Sequence, residues 1–357
     1  MQPWSDNSRS GPPLVRPADL AACRAALRNG SRSFLAASHL LPTRVRDDAI
    51  ALYAFCRVAD DAIDQEGGAS ALGPLHARLE AAYAGAPMDI PADRALADLV
   101  ARRDIPMELP AALLEGFAWD AEVRRYEDIS ALSAYAVRVA GSVGAMMALL
   151  MDARAPETVA RACDLGVAMQ LSNIARDVGE DARAGRLYLP LDWLRAAGID
   201  PDRWLARPVF NAALASVVRR LLEMAETFYR RADAGIRALP RSCRLGIGAA
   251  RVLYAEIGHE VARNGYDSVS ARAVVSGRRK LAKLAGLALT PPVTPQTGFA
   301  VLPEAAFLVD AVAGASARTS LGRSAEQAAS RPGERLIWLI DLFTQLERRA
   351  QVGPASP

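Results

Sequence analysis

From about residue 18 to residue 290, apolar residues recur at three- and four-residue intervals and alternating β-branched runs are scarce, so an all-α chain is expected. The pattern places helices at 18–29, 44–65, 72–84, 92–103, 108–123, 130–151, 156–180, 209–237, 243–264 and 270–288. Between 181 and 208, Gly185, Pro190, Gly198, Pro201 and Pro208 interrupt it, which predicts a structured loop carrying a short helix.

The ends read differently. Residues 1–17 are rich in Pro, Gly and Ser and are expected to form a mobile tail. One helical domain is expected over 18–289, then a Pro-rich linker at 290–303, then a C-terminal extension at 304–357 with helical stretches at 305–312 and 334–349.

Two helices carry polar stripes. Tyr53, Arg57, Asp60 and Asp64 follow steps of four, three and four, and Gln170, Asn173, Asp177 and Asp181 follow three, four and four. Each set shares one helix face, while Ala54, Phe55, Val58 and Ala59, or Leu171, Ile174, Ala175 and Val178, face other neighbours. Carboxylates four residues apart repel one another, and hard oxygen donors of this kind suit Mg²⁺ or Mn²⁺ shared with a phosphate. A single acidic cluster is equally well explained as a solvated helix end; two matching clusters favour a metal-bearing pocket between facing stripes.

Composition narrows the choice. A formal net charge of +3, with no basic stretch interleaved with aromatics, argues against a nucleic-acid partner. Cys23, Cys56, Cys163 and Cys243 are far apart and suggest neither a zinc site nor a disulfide framework. The first residues lack the basic start and apolar core of a signal peptide, so a cytoplasmic location is expected. The apolar run Val139–Met151 is shorter than the ~20 residues that span a bilayer, and membrane contact is expected to be peripheral, on the inner face, with Arg278, Arg279, Lys280 and Lys283 as a basic face for anionic lipid or for solvent. His39, His76 and His259 show no ligand spacing, and no nucleophile elbow is present.

With their flanks, Leu52–Asp61 and Gln170–Asp181 closely resemble the two signatures of the squalene and phytoene synthase family. The resemblance runs from about Ser31 to Leu281 and includes Ser31-Arg32-Ser33-Phe34, Gly141-Ser142-Val143-Gly144, Gly185-Arg186-Leu187-Tyr188-Leu189-Pro190 and Gly265-Tyr266-Asp267. Arg32 replaces the usual Lys, Ala62-Ile63 replaces a commoner β-branched pair, and Ala271 stands where many relatives have Arg.

The resemblance implies an isoprenoid synthase helical bundle with a central pocket and a prenyl diphosphate substrate, here geranylgeranyl diphosphate. Two such molecules would join through a cyclopropyl diphosphate, releasing two diphosphates. It also assigns roles: Asp60, Asp64, Asp177 and Asp181 as ligands of Mg²⁺ or Mn²⁺, and Ser31, Ser33, Arg57, Arg176, Arg186 and Arg272 as diphosphate contacts. Tyr53, Tyr135, Gln170, Asn173, Tyr188 and Tyr254 would lie near the reacting carbons, and Gly141 and Gly144 in the tunnel wall. Small residues at Ala36, Ala37 and Ser38 favour a C20 tail over C15. Gly246-Ile247-Gly248 lacks a third glycine and a preceding strand, so NADPH is not expected as a cofactor.

Overall fold

The computed structural model describes residues 16–30, 38–66, 68–289 and 297–319, and within them every regular element is helical. The chain runs through α1 (Pro17–Gly30), α2 (Thr43–Glu66), α3 (Leu72–Tyr83), α4 (Pro91–Arg103) and α5 (Glu108–Ala121). It continues through α6 (Ile129–Ala136), a π turn (Val137–Gly141), α7 (Ser142–Leu150), α8 (Pro156–Arg183), α9 (Leu191–Ala196) and α10 (Pro201–Ala206). The last four are α11 (Ala212–Ala238), α12 (Arg241–Arg263), α13 (Gly277–Leu289) and α14 (Ala306–Thr319).

Local chemistry sets several starts. Asp128, Asp200 and Asn211 cap α6, α10 and α11 by accepting the backbone N–H three residues on, at 2.8, 2.9 and 2.8 Å. Pro91, Pro156 and Pro201 open α4, α8 and α10, where their missing N–H has no intrahelical partner to lose.

Helix α8 is the axis of the molecule, packed against α11, α7, α12 and α14. Its close approach to the preceding hairpin arm depends on two glycines. A Cβ on Gly166 would lie 2.2 Å from the Ala140 carbonyl oxygen, and one on Gly144 would lie 2.2 Å from that of Ala162. Backbone therefore touches backbone where α8 crosses the π turn and α7.

Four features differ from the sequence expectations. The helix expected at 130–151 contains the π turn, and its 22-residue stretch Ile129–Leu150 is long and apolar enough to cross a membrane; 67% of its most apolar window is buried among neighbouring helices. The helix expected from residue 270 starts at Gly277, because Asp267 Oδ1 accepts the N–H groups of Val269 and Ser270 at 3.0 and 2.9 Å and holds a turn instead. The 181–208 stretch carries two short helices, each opened by a proline at or before its first residue. Phe299 and Ala300 are tied to α8 through Arg161, and the chain leads on into α14, which packs on α8, α5 and α7. The stretch 334–349 and the tail 1–15 lie outside the described residues.

Of the basic face on α13, Arg279 and Lys283 are engaged by acids of α12: Arg279 Nη1 lies 2.8 Å from Glu260, and Lys283 Nζ lies 2.9 Å from Glu256.

Candidate active site

A cavity of about 1240 Å³, part of it open to solvent, runs between α2, the π turn, α7, α8, α11 and α12. Its walls are overwhelmingly apolar. Along α8 the lining residues extend from Thr158 to Asn173, about 22 Å at the helical rise of 1.5 Å per residue. At one end the polar side chains are Tyr53 of α2, Gln170 and Asn173 of α8, and Tyr254 of α12; at the other, Thr158 and Arg161 of α8. Gly144 lines the same cavity; Gly141 lies at the helix crossing, its Cβ position 3.6 Å from the Cys163 carbonyl oxygen.

The acidic clusters follow directly beyond the first of these ends. On α2, Asp60 comes one turn after the lining residue Cys56; on α8, Asp177 comes one turn after Asn173. Arg57 reaches along its own helix, with Nε donating to Asp61 at 3.0 Å and Nη1 to Asp60 at 3.4 Å. Asp64 lies on α2, and its side chain, like Ser31 and Ser33, is outside the described residues.

Asp177 is held between two arginines. Arg176 Nε and Arg272 Nε each donate to its Oδ1 at 2.7 Å, and Arg272 also lies 3.4 Å from Glu180. These partners outweigh burial and hold the Asp177 carboxyl below the usual range. Arg272 is brought there by the loop before α13, which rests on Gly179: the Gly179 N–H donates to the Ser268 carbonyl at 2.9 Å, and a Cβ would lie 2.6 Å from the Val269 oxygen.

Asp181 has the opposite environment. Burial first, then the charge of Asp177, push its carboxyl up to about 7; Arg186 opposes the shift, and Asp120 and Glu180 add to it. A half-buried carboxylate beside other acids fits a bound cation, and its hard oxygen donors suit one whose remaining ligands come from phosphate. Among the described residues no three His, Cys, Asp or Glu side chains form a self-sufficient metal cage.

Asp120 on α5 is a residue that sequence reasoning missed. Its two oxygens accept the hydroxyls of Tyr135 at 2.8 Å and Tyr188 at 2.7 Å. Those rings stack with centroids 5.3 Å apart, and Tyr126 lies 5.1 Å from Tyr135. Buried Tyr135 and half-buried Tyr188 thus belong to an aromatic cluster joined to the acidic end through Asp120, and neither lines the cavity. An isolated acid near the end of an apolar helix gives no periodic signal.

The description of the family model that matches the chain is squalene/phytoene synthase, and the match covers residues 27–280. A phytoene synthase of Rhodobacter capsulatus is 52% identical over 84% of this chain and 91% of that protein. A 15-cis-phytoene synthase of a Paracoccus species is 41% identical over 72% of this chain and 87% of that protein. Among solved structures, a dehydrosqualene synthase in complex with ligand superposes with a TM-score of 0.69 at 30% identity, covering 76% of this chain and 95% of that one. A squalene synthase of Alicyclobacillus acidocaldarius gives a TM-score of 0.65 at 25% identity, covering 70% and 95%. With its family match spanning the helical body and its cavity set on the fold of those solved synthases, this chain belongs to the squalene/phytoene synthase family, prenyltransferase-type enzymes that act on prenyl diphosphates.

Proposed function

We infer that the chain is a phytoene synthase, condensing two molecules of geranylgeranyl diphosphate through prephytoene diphosphate to phytoene with release of two diphosphates. The observation that carries this is the pairing of a long apolar cavity with acids and arginines at one end, in a chain 52% identical to a phytoene synthase over 84% of its length. A cavity some 22 Å long suits a C20 tail stretched end to end.

Asp60, Asp64, Asp177 and Asp181 would hold Mg²⁺ or Mn²⁺. When bound, the ions supply positive charge to the departing diphosphate. The chain's own residues do the rest. Arg57, Arg176 and Arg272, held beside the acids by ion pairs, offer planar donors to diphosphate oxygens once substrate competes for them. Fixed donors aimed at developing negative charge lower the barrier to ionisation without reorganising. Beyond them, Tyr53, Gln170, Asn173 and Tyr254 present aromatic faces and amide dipoles to the allylic cation, and the apolar wall excludes water that would capture it.

The direct test is incubation of the purified protein with geranylgeranyl or farnesyl diphosphate, Mg²⁺ or Mn²⁺ and detergent, with and without NADPH, followed by mass analysis of the hydrocarbons. A C40 product formed without NADPH is expected. A product of C30 alone would move the chain to the dehydrosqualene or squalene branch of its family.

A further inference from the structure

The far end of the cavity holds a buried charge. Arg161 of α8 lines the cavity about 18 Å along the helix from Asn173, among Thr158, Ala232 and Gly235, and its side chain is 1% exposed. A guanidinium at the foot of an apolar cavity is stable only if its donors are answered elsewhere. Here they are turned outward. Nη1 donates to the Phe299 carbonyl at 3.2 Å and Nη2 to the Ala300 carbonyl at 3.0 Å, while Nε lies 3.0 Å from Asp164 Oδ2 as an ion pair without hydrogen-bond geometry.

The clamp is doubled by α11. Arg231 donates to the same Asp164 oxygen at 3.0 Å and to the Ala300 carbonyl at 2.8 Å, and the Phe299 ring lies 5.7 and 5.6 Å from the two guanidinium carbons. With the charged head fixed this way, Arg161 stays part of the cavity lining. A Cβ on Gly235 would lie 2.3 Å from the Arg161 Cβ, so α11 packs directly on the base of its apolar stem. Phe299 and Ala300 lie beyond residue 280, where the family match ends.

We propose that Arg161, clamped from behind by residues 299–300, Asp164 and Arg231, is the floor of the prenyl-binding cavity and sets the longest tail the enzyme accepts. The proposal rests on the prenyl diphosphate substrate inferred above and assigns the segment after residue 296 a part in substrate selection. Asp164 and Arg231 act through Arg161 as positioning residues.

The test uses the full chain and the binding of C15, C20 and C25 prenyl thiodiphosphates, which resist ionisation, with C40 synthesis measured in parallel. The unaltered protein is expected to bind C20 at least about tenfold more tightly than C25. Arg161→Ala should remove that discrimination, raising C25 affinity about tenfold with C20 affinity little changed. Arg161→Met, which keeps a stem of similar reach but forfeits the clamp, should relax the C20 limit much as Arg161→Ala does; a fully retained limit overturns the positioning role of Asp164 and Arg231. Ala232→Met, which fills the same end, should shift preference from C20 toward C15, and it decides the matter if Arg161→Ala does not fold.

A folded Arg161→Ala protein with an unchanged C25-to-C20 ratio overturns the floor, as does Ala232→Met with unchanged tail preference. Tight C20 binding that responds to these substitutions but yields no C40 hydrocarbon overturns the phytoene synthase inference and leaves the floor standing. Failure of every tail length to bind overturns both.

Discussion

Tyr188 donates its hydroxyl to Asp120 at 2.7 Å across 68 residues of chain. With Tyr135 on the other carboxylate oxygen, the aspartate ties α5 to α6 and to the loop after α8, beside Asp181. Removing one tyrosine hydroxyl takes a charge-assisted hydrogen bond from a half-buried carboxylate, at a cost of about 1–2 kcal/mol. In a double-mutant cycle of Tyr188→Phe and Asp120→Asn, unfolding free energies should show a coupling of about 1 kcal/mol or more. Additivity of the two substitutions would remove Asp120 from its place as the joint.

Asp177 is both a metal-ligand candidate and the partner of two arginines. Asp177→Asn is expected to lower kcat by about 10²–10³, the range seen when one preorganised charge-stabilising group is lost. Arg272→Lys should cost less, about tenfold, because it keeps the charge and loses the planar pair of donors. Diphosphate release at saturating substrate measures both. An Arg272→Lys loss as large as that of Asp177→Asn would place Arg272 closer to the reacting centre than its position over Asp177 indicates.

Gly166 faces the Ala140 carbonyl where α8 crosses the π turn. Gly166→Ala puts a methyl group 2.2 Å from backbone oxygen, and backbone cannot rotate away as a side chain would. About 2–3 kcal/mol of stability should be lost, against the gain of a few tenths to about 1 that alanine normally brings to a helix interior. Chemical denaturation of the two proteins side by side reads the sign directly.

Glu256 links α12 to α13. Its carboxylate is 1% exposed and is met by Arg263 at 2.7 Å, Lys283 at 2.9 Å, His259 at 3.0 Å and Arg279 at 3.7 Å. Burial alone would raise its pKa, but these partners together depress it to about 2. A depressed carboxyl contributes stability that is fully present above its unfolded value of about 4.5 and is lost as pH falls through about 2. Glu256→Gln should therefore lower the melting temperature at pH 6 and narrow the difference from the unaltered protein steadily below pH 4.5. A pH-independent difference would mean the carboxylate contributes through shape alone.

The helical body was legible because its evidence is local. Capping residues, prolines at first turns and apolar spacing act within a few residues of one another, so α8 was expected at 156–180 and runs Pro156–Arg183. Tyr53, Gln170 and Asn173 could be named in advance because a polar stripe on an apolar helix must answer to something, and here it faces the cavity. The π turn gave no such signal: it arises where Gly116 and Gly166 admit neighbouring helices against residues 138–140.

By itself the sequence determined that the chain is all-α, where most helices begin and end, and that two of them carry acids on one face, since each follows from contacts three or four residues apart. Only the tertiary structure decided that Asp120 joins Tyr135 to Tyr188, that Arg272 covers Asp177 from 95 residues away, and that Phe299 and Ala300 close around Arg161 from 138 and 139 residues away. Those contacts depend on how α8 crosses its neighbours. That crossing is set by close packing summed over many side chains, which no local pattern in the chain encodes.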